Sequence, residues 1–151
     1  MKNKRYIIIL FTAIVLLSAI FGVKYINNLP KETTWGEMLT KIFSKNNSTV
    51  IGLTITEETP DSYTDVKITD EQTIKDILEG PAKTKLKEAD VHLGPDARKY
   101  LVIFRTDTGG DSVYMNLSEN LIHFHGSGIS YETDDDSVFG VIHEAFITNN
   151  N

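Results

Sequence analysis

The sequence predicts an α+β domain. One twisted antiparallel sheet of about five to six strands, in ββα-βββ(β)-α order, carries helices on one face and is preceded by an N-terminal transmembrane helix. Three observations predict this. Between Thr49 and Ile68, two runs rich in β-branched residues flank the turn Thr59-Pro60-Asp61-Ser62. From Lys99 to Glu132, short apolar runs alternate with turns rich in Gly, Asn and Ser. Helical patterns bracket these strand runs instead of alternating with every strand, which is the α+β arrangement.

The chain opens with Lys2, Lys4 and Arg5, followed by an uncharged run of 18 residues from Tyr6 to Val23. At about 1.5 Å per residue a helix of that length spans roughly 27 Å, close to a hydrocarbon core of about 30 Å. The basic residues ahead of it place the N-terminus in the cytoplasm and export the remainder. A cleavable signal peptide would have a shorter apolar run and a small-x-small cleavage site, which Ala19-Ile20-Phe21-Gly22-Val23 lacks. The expectation is a retained single-pass anchor over 1–24, with a secreted body as the alternative if the segment is cleaved.

Residues 25–47 read as a linker and a membrane-proximal amphipathic helix. Thr34 and Glu37 fit a capping box, and Trp35, Met38, Leu39, Ile42 and Phe43 form one apolar stripe. That stripe suits a partner-binding or interfacial helix through Trp35, Met38, Ile42 and Phe43. It also suits a helix packed on its own core, or on a neighbouring copy, which is the favoured reading. The extracytoplasmic domain proper is expected over 48–147, with a polar tail at 148–151.

Within that domain, Thr49 to Thr56 and Tyr63 to Ile68 form the first strand pair. Thr69, with Gln72 three positions on, is expected to cap a helix with Ile74, Ile77 and Leu78 on its core face, stopped at Gly80-Pro81. Ala82 to Glu88 reads as a short, basic, exposed helical turn. Tyr100 to Arg105 is a central strand, followed by the hairpin turn Asp107-Thr108-Gly109-Gly110-Asp111. Ser112 to Leu117 and Leu121 to His125 continue the meander, and Ile129 to Glu132 forms a short edge strand. Asp136 or Ser137 caps the last helix, with Val138, Val141, Ile142, Ala145 and Phe146 inward.

Composition excludes several function classes. There is no cysteine, hence no disulfide, lipidated cysteine, thiol nucleophile or cysteine zinc site. The net charge of −6 becomes about −10 for the body once Lys2, Lys4, Arg5 and Lys24 around the apolar run are set aside. Such a body disfavours nucleic acid and anionic headgroups as direct partners.

The pattern from Ser48 to Phe146 resembles uncharacterised small exported domains of Bacillus-type Gram-positive bacteria. The resemblance rests on a strand pair, a helix opening ITDEQTIKDIL at Ile68 to Leu78, a strand KYLVIF at Lys99 to Phe104, successive hairpins and a C-terminal helix. It implies the fold and export and carries over no functional residues. Many such domains attach through a lipidated cysteine, whereas this chain has a hydrophobic segment in its place.

Candidate chemistry is sparse. His123 and His125, two apart on a strand, project from one face and could supply two imidazoles to zinc or copper, with a third ligand from His143, Glu144 or a neighbouring-strand residue such as Tyr114 or Asn116. Lining the wet face of a one-sided sheet is the simpler role. Asp107-Thr108-Gly109 spells an aspartic-protease triplet, but a single copy between two strands is what a hairpin needs. Glu132, Asp134, Asp135 and Asp136 form an acidic run without the alternating spacing or the glycine bend of a calcium loop. His143-Glu144 has no identifiable nucleophile. No phosphate-binding glycine loop or dinucleotide fingerprint occurs.

The expectation is therefore a membrane-anchored, non-enzymatic binding or regulatory module with no cofactor. It would contact another envelope protein or an exported peptide. A small metal or acid/base enzyme built on His123, His125 and His143 is the first alternative, and an immunity or inhibitor-type surface protein the second.

Overall fold

The computed structural model describes residues 31–150, except positions 46, 60–61, 92, 109–111 and 127. The predicted anchor at Tyr6 to Val23, the linker as far as Pro30 and the glycine pair of the 107–111 turn lie outside the described residues. Among the described residues no helix is long and apolar enough to cross a membrane.

The elements are β1 (Glu32–Thr34), α1 (Trp35–Ser44), β2 (Val50–Thr59), β3 (Ser62–Ile68), α2 (Glu71–Glu79), β4 (Lys85–Ala89), a single 3-10 turn (Pro95–Ala97), β5 (Tyr100–Thr106), β6 (Val113–Leu117), β7 (Leu121–Phe124), β8 (Ile129–Thr133) and α3 (Ser137–Asn149). The fold is α+β, and its strands form one sheet in the order β1-β4-β8-β7-β6-β5-β2-β3, antiparallel at every pairing.

The sheet has eight strands where five to six were expected. Two come from segments read otherwise. Lys85–Ala89, expected as part of a helical turn, is a strand because Leu86 pairs with Thr133 and Glu88 with Tyr131. Glu32–Thr34, expected as linker and cap, pairs with Lys87, Leu86 and Lys85 and closes that side of the sheet. Consequently β8 is an interior strand, held by β7 and β4, and not an edge.

Register assigns the faces, since residues directly opposite share one. Leu53, Val102, Phe104, Met115, Leu117, Ile122 and Phe124 point to one face and are all but fully buried. The three helices meet that face. Phe43 of α1 makes an edge contact with Phe104 (5.8 Å between ring centres), and Phe146 of α3 lies 5.2 Å from Tyr100. Trp35 at the start of α1 is fully buried, 6.3 Å from Phe124, with its indole N–H donating to the Ile77 carbonyl of α2 at 3.3 Å.

Caps fix the helix ends. Thr34 accepts from the Glu37 N–H at 3.3 Å while Glu37 accepts from the Thr34 N–H at 3.2 Å, the expected capping box. Helix α2 departs from expectation by one residue. Its cap is Asp70, whose carboxylate accepts from the backbone N–H and the hydroxyl of Thr73, both at 2.8 Å, whereas Gln72 bonds Asp76. At α3 the cap residue is Asp136, but the side chain that reaches the Ser137 N–H is that of Asp135, at 2.9 Å. Asn47, with φ 48°, turns the chain out of α1 in the left-handed region that asparagine tolerates.

The opposite face of the sheet is not wholly open. The connection from β4 to β5 passes from one side of the sheet to its centre. Leu93 in that connection is 3% exposed. Asn116 of β6 holds it there, donating to the Leu93 carbonyl at 2.8 Å and accepting from Arg98 at 3.1 Å. Arg98 also binds Glu58 of β2 at 2.9 Å.

Candidate functional site

Helix α1 leaves one part of the hydrophobic layer uncovered. Met38, Lys41, Ile42 and Lys45 recur at three- and four-residue spacing and so share one flank of the helix. Opposite them stand Val113 of β6, Phe124 of β7, and Ile129 and Tyr131 of β8, all on the helix-bearing face by register. Between flank and sheet lies a groove of about 320 Å³, closed at one end by Ser112 and the His125-Gly126 turn. Gly126 and Gly128 both have positive φ, which lets the chain reverse tightly at that end.

The floor is apolar and the rim basic. Phe124, Met38 and Tyr131 are buried, while Ile42, Val113 and Ile129 are half-buried. Burial raises the Tyr131 phenol above its ordinary pKa of 10, and the Glu88 carboxylate adds to the shift. It remains neutral at physiological pH. Lys41 and Lys45 are exposed, and neither is ion-paired among the described residues. No carboxylate lines the groove among those residues. In a body of about −10 this is a local reversal of sign.

A second recess, of about 530 Å³, lies against α3, with Arg98, Lys99, Phe139 and His143 in its wall. Its cations are already neutralised: Lys99 by Glu57 and Arg98 by Glu58. His143 stacks on Phe139 (5.6 Å, 15° between planes), and its Nδ1 lies 2.6 Å from the Tyr100 hydroxyl. Burial first, and the Glu57 carboxylate second, push the Tyr100 phenol up to about 12. Tyr100 is therefore a neutral phenol at neutral pH, sharing a hydrogen bond with His143.

The histidines predicted as metal ligands divide between the two faces. His123 is 3% exposed on the face away from the helices, opposite Asn116 and Ser130. His125 stands next to it, with ring centres 5.5 Å apart. His143 is on α3, across the sheet, bonded to Tyr100. The structure brings His123 and His125 together and separates both from His143. No group of three His, Asp or Glu side chains among the described residues is placed to hold a metal ion.

His123 Nδ1 also lies 3.0 Å from the Ser130 hydroxyl, a Ser–His contact that sequence spacing gave no reason to expect. Both residues are 3% exposed. A nucleophile needs access to its substrate, so burial of both makes this a structural hydrogen bond.

The stripe predicted on α1 is also divided. Trp35 enters the core, while Phe43 is half-buried against Phe104 and away from the groove. Met38 and Ile42 reach the groove. Asp107, of the protease-like triplet, accepts from the Thr49 N–H at 2.9 Å and pins the start of β2. Its role is that of a turn residue.

The groove residues from β6, β7 and β8 were not singled out in the sequence. Val113, Phe124, Ile129 and Tyr131 have the alternation of any strand, and only the meander sets them opposite α1. No protein-family model, curated protein or solved structure matches the chain.

Proposed function

We propose that the protein is a membrane-anchored, extracytoplasmic binding module that acts by holding a ligand and not by chemistry. The anchor is the uncharged run Tyr6 to Val23, oriented by Lys2, Lys4 and Arg5. The resemblance of the body to exported Gram-positive domains supports the same placement. The binding element is the groove beside α1. The observation that carries this reading is the groove's composition: half-buried aliphatic side chains under two lysines that have no counter-ion among the described residues. Concave sites with an apolar lining and a few placed polar groups are where proteins bind small ligands.

The metal or acid/base alternative has less support, because His143 stands across the sheet from His123 and the Ser130–His123 pair is sealed.

The absence of cysteine makes the test simple. A single thiol at Ile42→Cys is probed with a membrane-impermeant maleimide on intact cells, and its rate is compared with that of purified protein. Thr40→Cys, on the exposed side of α1, is the control. Labelling of Thr40→Cys in intact cells, with slowed labelling of Ile42→Cys, is the expected result. Labelling of Thr40→Cys only after lysis overturns the location. Equal rates for Ile42→Cys in the envelope and in purified form overturn the groove as an occupied site.

A further inference from the structure

From the groove we infer a ligand class: a free, single-chain amphiphile with a carboxylate head, its tail on the floor between α1 and the sheet and its head between Lys41 and Lys45. This rests on the binding-module reading above and makes it chemically specific.

Three features select this ligand. The first is volume. At about 320 Å³ the groove lies at the small end of the range of about 300–1,000 Å³ for ligand sites, enough for one short chain but not for two. That argues against a bilayer phospholipid. The second is the floor. Ile42, Val113 and Ile129 are half-buried and aliphatic, with Met38 and Phe124 beneath them, and offer dispersion contacts but no fixed hydrogen-bond pattern. Such a surface accepts a flexible hydrocarbon tail. Met38 adds the adaptability of an unbranched thioether side chain.

The third feature is charge. Lys41 and Lys45 stand one helical turn apart at the mouth, and the described lining has no carboxylate. They therefore favour an anionic head. The body as a whole, at about −10, repels anions in proportion to their charge. An acidic protein or an anionic membrane surface meets that repulsion many times over, whereas a monoanion meets it once. A ligand with a single negative charge satisfies both the local attraction and the global repulsion. A carboxylate carries one negative charge and pairs with a lysine ammonium.

The test uses the full chain in nanodiscs of phosphatidylcholine, whose surface is neutral overall. The probe is decanoate carrying a diazirine near the tail end, photolysed and mapped by peptide mass spectrometry. A matched decanol probe is the neutral arm. Decanoate adducts are expected on the segments that form the groove, around Met38 to Lys45 and Phe124 to Tyr131, and unlabelled decanoate should compete them away. In Lys41→Glu/Lys45→Glu their yield should fall about tenfold, the scale of two exposed charge contacts reversed. Decanol labelling should be unchanged by the same pair of substitutions. Emission from Trp35, the single tryptophan and close to Phe124, reports whether the variant keeps its fold.

Adducts scattered outside the groove overturn the inference, and so do decanoate adducts indifferent to both lysines. Displacement of the probe by an acidic apolar peptide at lower concentration than by decanoate also overturns it and assigns the groove to a protein partner. Should Ile42→Cys be shielded in the envelope while decanoate leaves no adduct, the ligand class fails and the binding module stands. An unshielded Ile42→Cys together with no adduct removes both.

Discussion

The Tyr100 hydroxyl lies 2.6 Å from His143 Nδ1, joining an interior strand of the sheet to the C-terminal helix. Tyr100 is fully buried, and its ring also meets Phe139 and Phe146. One phenol thus combines apolar packing with a polar contact to a half-buried imidazole. Tyr100→Phe keeps the packing and removes the contact, at an expected cost of about 1 kcal/mol at pH 7. Urea denaturation of both proteins measures it.

The same phenol predicts an alkaline limit. Its folded pKa is raised to about 12 from an ordinary 10, by burial and then by Glu57. The folded state therefore holds this proton more tightly than the unfolded state does. The contribution is complete below pH 10 and is lost as pH rises from 10 through 12. Thermal melts between pH 9 and 12 should show a steeper fall in Tm for the native sequence than for Tyr100→Phe. Parallel curves would disprove the assignment to this residue.

Asp70 predicts the opposite sign at the acid end. The Thr73 backbone N–H, and next the Thr73 hydroxyl, hold its carboxyl below the ordinary 3.8. The unfolded state binds this proton more tightly, so the contribution is present above about pH 4 and is lost as pH falls through the lowered value. The gap in Tm between the native sequence and Asp70→Asn should be widest near pH 7 and close on acidification.

Asn116 is the fastening for the connection that crosses the sheet. Replacing it with leucine leaves the Leu93 carbonyl without its donor and Arg98 with Glu58 alone. A loss of about 1–3 kcal/mol is expected from the unsatisfied groups. Hydrogen exchange should rise within residues 90–99 and adjoining β6, while α1 stays protected. Uniform loss of protection would mean that the connection is integral to the whole sheet.

Thr34 predicts a smaller, local effect. Thr34→Ala removes half of the capping box at α1, with an expected cost of about 1 kcal/mol. Far-UV circular dichroism should change little, because Trp35 anchors the same turn from the core.

Local chemistry made much of this fold legible in the sequence. The Thr34–Glu37 box, the inward residues Ile74 and Ile77 of α2, and the meander turns are all set by neighbours within a few positions. The strands that escaped are those decided at long range. Lys85–Ala89 has one buried aliphatic residue, Leu86, between lysines, and becomes a strand through pairing with β8 some 45 positions away. Glu32–Thr34 is too short to carry a pattern of its own. Nothing adjacent to Leu93 in the sequence points to Asn116 as the partner that holds its carbonyl. The groove was half legible: Met38 and Ile42 stood out on α1, but the wall that completes it is assembled from three strands whose alternation also fits a closed core. The separation of His143 from His123 followed only when the sheet came between them.

The place of β1 has a mechanical consequence. Any tension arriving through the chain ahead of Lys31 falls first on three residues at a sheet margin. It is resisted there by the β1–β4 pairing, by the Glu88 N–H on the Lys31 carbonyl, and by the amides of Trp35 and Gly36 on Thr84 and Ala82. Behind that seam the indole of Trp35 is wedged in the interior, so a pull that unfastens β1 stalls at the first turn of α1. The first strand is thus a short seam that can open at the sheet margin while the buried Trp35 keeps its place in the core.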